Sequence, residues 1–256
     1  MSGALDSALR RRLVDLARQD ALLAFDFDGT LAPIVSDPET AAMPGSTRAL
    51  FDALAARRRC AVLSGRSLDD LRPRLADVPL VALVGNHGLE IAGEPPPAGL
   101  RAGVHAWRAE LAARLAHLPG VRIEDKGLSL SVHYRASPAP ARAEAAIRAA
   151  TDTLHGARVF GGHVVVNVVP EDARDKGDAL RTLLAAAPCP SALYVGDDET
   201  DETAFALADE FPLLAVRVGP SRATRARHVL ADRSQMDALL EALLEGATAA
   251  DRLSSG

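Results

Sequence analysis

Two carboxylates, Asp26 and Asp28, close an apolar run in Leu22-Leu23-Ala24-Phe25-Asp26-Phe27-Asp28-Gly29-Thr30. A second acidic run, Gly196-Asp197-Asp198-Glu199-Thr200-Asp201, follows Ala192-Leu193-Tyr194-Val195. A carboxylate at the end of a wholly apolar segment is costly when unpaired, and a group of them repels itself. A cation relieves both problems. Donor sets made only of oxygen suit Mg2+, which commonly shares its shell with a substrate phosphate. The chemistry within reach is then that of a phosphate group held against a metal ion, whose charge offsets that of the phosphate. Asp28-Gly29 by itself reads equally well as a turn; the two acidic runs together argue for a site.

The elements around these runs must deliver them to one edge. Residues 22–26 and 192–195 read as short buried strands, as do 60–63, ending in Ser64-Gly65-Arg66, and 80–84, ending in Gly85-Asn86-His87-Gly88. Helical spacing occurs over residues 5–19, 46–58 and 176–187, and Ser67 is placed to cap a further helix. Helices also read over 202–208 and 234–245, with a strand over 213–218 and a frayed tail over 247–256. Alternating strands and helices predict a doubly wound parallel sheet, an α/β Rossmann-like core, whose ligands bind at the C-terminal ends of the strands.

The pattern breaks at Pro95-Pro96-Pro97, which neither a helix nor a central strand can absorb. Beyond it, helices read over 100–117 and 139–155, and strands over 121–124, 128–134, 157–160 and 163–169, with Gly161-Gly162 as a hairpin turn. This αββαββ order predicts an inserted α+β domain over residues 97–171. The core domain is then residues 1–96 and 172–256.

Composition narrows the function classes. Hydrophobic residues make up 48% and charged residues 25% of the 256 residues, as in an ordinary globular chain. The net charge of −5 supplies no drive toward nucleic acid or an anionic membrane surface. No apolar run approaches the roughly 20 residues of a membrane helix, and residues 1–12 lack the apolar core of a secretion signal. Cys60 and Cys189 sit near the starts of strands and read as reduced structural thiols, which fits the cytoplasm. The expected partner is a small-molecule substrate, with no nucleic acid and no membrane.

Asp26-Phe27-Asp28-Gly29-Thr30, Ser64, Lys176 and the pair Asp197 and Asp201 follow in the order of the four motifs of the haloacid dehalogenase-like phosphatases. Together with Gly85-Asn86-His87-Gly88-Leu89-Glu90 and Ser131-Val132-His133-Tyr134-Arg135, the chain from about residue 22 to about residue 218 resembles the trehalose-6-phosphate phosphatases. The resemblance implies a haloacid dehalogenase core with an inserted cap. It implies Asp26 as the nucleophile that becomes an aspartyl-phosphate, Asp28 as acid and base, and Lys176 as the charge-neutralising group. Thr30 and Ser64 would hold phosphate oxygens. Mg2+ would be bound by Asp26, the main-chain carbonyl of Asp28 and Asp197, with Asp201 in support. Arg66, Asn86, His87, Glu90, Lys126, His133, Arg135 and Asn167 match positions that recognise the sugar phosphate. Asn167 is also a departure, because the family commonly carries a glutamate there, followed by a basic residue; Glu171 stands close enough in sequence to be a substitute. The expected reaction is hydrolysis of trehalose 6-phosphate to trehalose and phosphate. Another phosphorylated disaccharide or pseudo-disaccharide, transfer of the phosphoryl group to a second sugar by a phosphotransferase or mutase, and a catalytically silent sugar-phosphate binder remain as rivals.

Overall fold

The computed structural model describes residues 5–95, 99–162, 164–221 and 223–254. Pro96 and Pro97 of the expected linker lie outside the described residues, as does His163. The elements in chain order are α1 (Ser7–Ala17), β1 (Leu22–Phe25), α2 (Gly45–Ala55), β2 (Arg59–Leu63), α3 (Leu68–Arg74), β3 (Ala82–Gly85) and β4 (Glu90–Ile91). Then come α4 (Leu100–Leu115), β5 (Arg122–Asp125), β6 (Leu130–His133), α5 (Pro140–Thr151), β7 (Ala157–Gly162) and β8 (Val165–Pro170). The chain closes with α6 (Lys176–Ala186), β9 (Ala192–Gly196), α7 (Glu202–Phe205), β10 (Leu213–Val218), β11 (His228–Leu230) and α8 (Met236–Ser254). Contacts divide these into two compact units, residues 1–92 with 175–256, and residues 93–174.

The first unit holds a seven-stranded sheet in the order β11-β10-β9-β1-β2-β3-β4. All neighbours are parallel except the short β4, which returns antiparallel to β3. The continuous apolar runs in the sequence have a direct cause, because both faces of the sheet are covered. On β1, Leu23 and Phe25 enter a core built with α1, α2 and α8, while Leu22 and Ala24 enter a second core with α6 and α7. The same alternation holds on β2, with Cys60 and Val62 against Ala61 and Leu63, and on β9, with Leu193 and Val195 against Ala192 and Tyr194. Phe25 meets Phe51 of α2 edge-to-face at 5.4 Å. The neighbours of β1 arrive from opposite ends of the chain, β2 on one side and β9 on the other. That is the switch point at which open α/β sheets bind ligands.

The second unit is an antiparallel sheet, β5-β6-β8-β7, with α4 and α5 packed on one face. Leu130, Val132, Val166 and Val168 join Val104, Trp107, Leu111 and Ile147 in its core. The intervening residues Ser131, His133 and Asn167 therefore share the other face.

Three expectations are corrected. Gly161 and Gly162 are strand residues paired with Val166 and Val165, and so are not the turn of the hairpin. The ladder simply continues through both glycines, and Val164 takes the positive φ of the turn, 60°. Residues 247–254 are not frayed, because α8 runs to Ser254 and Ala247 is fully buried against α1. Arg58 anchors this last stretch by donating to the Ala247 carbonyl and to Asp251. The helix expected over 202–208 is α-helical only to Phe205 and continues as a 3-10 turn. Among the described residues no helix is long and apolar enough to cross a membrane.

Candidate active site

β1, β2 and β9 end side by side, and each hands over to a loop that carries a polar residue inward. Asp26 follows β1, Ser64 follows β2 and Asp197 follows β9. Asp26 is pinned at its main chain, where its N–H donates to the Val195 carbonyl at 2.8 Å. Asp26, Asp197 and Asp201 each present an oxygen within 4.8 Å of the others. The approach is close because Gly29 has no side chain: a Cβ there would lie 2.0 Å from Asp197 Oδ2, and Gly29 already sits at φ 78°.

Lys176, the first residue of α6, is 2% exposed. Its position is set by the capping box of Asp175 and Asp178 at the start of that helix. Its Nζ donates to Asp26 Oδ1 at 2.8 Å and to Asp201 Oδ1 at 2.7 Å. Burial opposes its charge, but Asp201 and Asp26 outweigh burial and hold its pKa well above the ordinary lysine value. Asp201 is saturated by neighbours: Tyr194 Oη donates to Oδ1 at 2.7 Å and the Asp198 N–H to Oδ2 at 2.9 Å. It therefore stands as a support behind Asp26 and Asp197. Tyr194 lies in a run that reads only as an apolar strand, so its hydroxyl contact is missed by pattern alone.

Burial, partly countered by Lys176, pushes the Asp26 carboxyl up to about 7. Asp197 is pushed up to about 9 by burial and by the Asp26, Asp201 and Asp198 carboxylates. The donor set fits a hard divalent cation, whose charge would relieve this repulsion. The sign of the pH dependence follows. Both folded-state pKa values lie above the ordinary 3.8. The folded metal-free protein thus binds more protons than the unfolded chain, and these groups cost stability as pH rises. Metal binding must release those protons. The gain in Tm from saturating Mg2+ over EDTA is expected to grow from about pH 5 to about pH 9. A gain that is flat across that range would contradict it.

Asp28 points elsewhere. Arg66 grips both of its oxygens, with Nε to Oδ2 at 2.6 Å and Nη2 to Oδ1 at 2.8 Å, and a third nitrogen reaches Asp70 at 2.6 Å. The Asp28 carboxylate is thus outside the three-acid group. Thr30 is fully buried, and among the described residues its Oγ1 has no hydrogen-bond partner. Ser64 is 1% exposed, and its Oγ accepts from the Arg66 N–H at 3.2 Å. Asn86 and His87 both adopt positive φ, 48° and 59°. Their N–H groups donate to the Arg66 and Ser64 carbonyls. Gly65 makes room for the His87 ring, since a Cβ there would lie 2.3 Å from it. Glu90 Oε2 accepts from Asn86 Nδ2 at 2.7 Å and from the Leu68 N–H at 3.0 Å, so it holds this loop to the start of α3.

The remaining expected residues lie in the second unit. Ser131 Oγ donates to Asn167 Oδ1 at 2.7 Å, and His133 pairs with Glu124 at 2.7 Å. The Glu124 carboxyl, despite burial, is held below its ordinary range by His133, Lys126 and Arg122. Lys126 sits in the β5–β6 turn, and Arg135 follows β6. Glu171 lies beyond the end of β8, four residues and roughly 13 Å along the chain from Asn167. Glu124, on the same sheet face, is a carboxylate only two strands away.

A family model described as Trehalose-phosphatase matches residues 24–237. The chain belongs to the trehalose-phosphatase family. Trehalose-phosphate phosphatase of Mycobacterium tuberculosis is 38% identical over 205 residues, covering 74% of this chain and 51% of the relative. That of Mycobacterium marinum is 35% identical over 219 residues, covering 78% and 56%. The chain spans about half the length of these curated relatives. Among solved structures, the C-terminal domain of Candida albicans trehalose-6-phosphate phosphatase superposes with a TM-score of 0.81 at 24% identity, over 95% of this chain and 98% of that one. The sucrose-phosphatase of Synechocystis shares the fold at 19% identity, with a TM-score of 0.56. Trehalose-phosphatase family membership thus rests on the sequence match, and the α/β phosphatase fold on these superpositions.

Proposed function

We propose that the chain is a Mg2+-dependent phosphomonoesterase that hydrolyses trehalose 6-phosphate to trehalose and phosphate. The observation that carries the chemistry is the buried Lys176 bridging Asp26 and Asp201 beside Asp197. The substrate follows from the family and from the activity in its relatives' names. Asp26 attacks phosphorus through the oxygen that Lys176 leaves free, and the bond from phosphorus to the sugar oxygen breaks. Asp28, two residues on, gives that oxygen its proton. Asp28 then takes a proton from water as the water attacks the aspartyl-phosphate, and Asp26 is released. Arg66 must loosen its grip on Asp28 for this exchange.

The orphaned Thr30 hydroxyl and the buried Ser64 hydroxyl supply hydrogen bonds to the phosphoryl oxygens. Asp26 and Asp197, with the Asp28 carbonyl, would hold Mg2+, which supplies charge neutralisation for the transferring group. Ser131, His133 and Asn167, on the polar face of the second sheet, offer the mixed donors and acceptors that read sugar hydroxyls. Discrimination built on such bonds is steep. The two cysteines are free thiols, which suits a reducing cytoplasm.

Product analysis tests the reaction. Incubation with trehalose 6-phosphate and Mg2+ is expected to yield trehalose and phosphate in equal amounts. A bisphosphate or a newly phosphorylated sugar would instead show transfer to a second sugar, and would overturn the hydrolytic reading.

A further inference from the structure

We propose that Arg217 is a positioning residue for the divalent-cation site: it clasps the main chain of the Asp197-Asp198 turn and so fixes the direction of the Asp197 carboxylate. The inference rests on the metal-dependent reading above. Arg217 lies on β10, beside Gly196 in the parallel register with β9. Its neighbours Val216 and Val218 enter the core on one face of the sheet. Arg217 lies on the other face, at a position where an apolar side chain would be expected, and is only 7% exposed. A guanidinium is expensive to bury unless several good bonds satisfy it.

Those bonds are specific. Nη2 donates to the Asp197 carbonyl at 2.5 Å, and Nη1 donates to the Asp198 carbonyl at 3.1 Å and to Glu202 Oε1 at 3.0 Å. The two carbonyls flank Asp198, where the chain has left β9 and bends into the 3-10 turn that carries Asp201. Held by one guanidinium, they fix the main chain that carries the Asp197 side chain, whose oxygen comes within 4.8 Å of those of Asp26 and Asp201. Gly29 abuts that carboxylate from the other side. Glu202 is itself tied down, with Oε2 accepting from the Arg225 N–H at 2.7 Å. Arg217 touches neither substrate nor the reacting atoms. Its role is to prevent Asp197 from swinging away from its like-charged neighbours when no cation holds it.

A lysine cannot perform this task. It keeps the charge but presents one nitrogen where the fork spans two carbonyls and a carboxylate. Arg217→Lys therefore separates geometry from charge. Mg2+ binding would be measured by calorimetry on wild type, Arg217→Lys and Asp197→Asn, with melting in EDTA to confirm folding. Arg217→Lys is expected to weaken Mg2+ binding roughly 10- to 100-fold, as loss of a residue that orients a ligand does. Its kcat is expected to recover at saturating Mg2+. Arg217→Gln, which can reach one carbonyl, is the second variant if lysine is not accommodated, and is expected to weaken binding as well. Glu202→Gln leaves both carbonyl contacts in place and is expected to change Mg2+ affinity far less.

Wild-type affinity in the Arg217 variants, with Asp197→Asn impaired, would overturn the inference and leave the metal reading standing. A loss in Glu202→Gln equal to that in Arg217→Lys would also overturn it, by showing that charge balance in the loop controls the affinity. Absence of Mg2+ binding in the wild type would overturn both.

Discussion

Asp26→Asn is expected to lower kcat by on the order of 10^4-fold or more, as removal of a covalent nucleophile does. The amide is nearly the same size and keeps a neutral acceptor, but it cannot attack phosphorus. The fold should survive. Asp26 is one of several carboxylates crowded at the sheet edge, and burial already pushes its pKa up to about 7. Removing its charge relieves repulsion on Asp197 while Lys176 keeps its contact with Asp201. Steady-state kinetics with the melting temperature in EDTA gives both readouts. An Asp26→Asn protein that keeps more than about a tenth of the wild-type kcat would rule out Asp26 as the nucleophile.

The second large effect falls on stability as well as on rate. Lys176→Met removes the positive charge that Asp26 and Asp201 share, in a place where the lysine is 2% exposed and Asp201 is fully buried. Breaking a buried pair from one side leaves an uncompensated charge and costs about 3–5 kcal/mol. The pKa of Lys176 is raised above the ordinary 10.5. Its contribution is therefore complete below that value and is lost only as pH climbs through the folded-state value. Urea unfolding near neutral pH in EDTA captures the whole effect. Loss of less than about 1 kcal/mol would place the charge of Lys176 outside the stability of this site. The double variant Lys176→Met with Asp201→Asn separates the two roles. It removes one of the two stranded charges, that of Asp201, and leaves Tyr194 a neutral partner, so part of the stability should return. The rate should remain down by roughly 10^2- to 10^3-fold, because the lysine no longer offsets the charge of the phosphoryl group.

The core and the acidic edge of its sheet were legible in the sequence because both depend on local pattern. Four apolar residues before Asp26 signal a strand covered on both faces, and Asp26 and Asp197 each mark where such a strand runs out. The αββαββ order of the second unit was legible for the same reason, through the alternation of Leu130 and Val132 with Ser131 and His133. Contacts between residues far apart in sequence were not. The resemblance offers Arg66 as a sugar-phosphate contact, but no pattern shows that it spans from Asp28 to Asp70. Nor does any pattern show that Glu90 secures Asn86 and the start of α3. Arg217 interrupts an apolar strand and Tyr194 reads as part of one, and no periodicity shows which carboxylate or carbonyl each one faces. Two-residue and three-residue strands such as β4 and β11 carry too few residues for any period to show, and Gly161-Gly162 has turn chemistry inside a continuing ladder.

Phosphate release from trehalose 6-phosphate in the presence of Mg2+, measured beside glucose 6-phosphate, sucrose 6-phosphate and an aryl phosphate with Asp26→Asn as the blank, tests the central claim most directly. The expected result is a strong preference for trehalose 6-phosphate in kcat/KM, abolished by EDTA and absent from the blank. Turnover of the aryl phosphate alone, or an equal rate on glucose 6-phosphate, would contradict the assignment of trehalose 6-phosphate as the substrate.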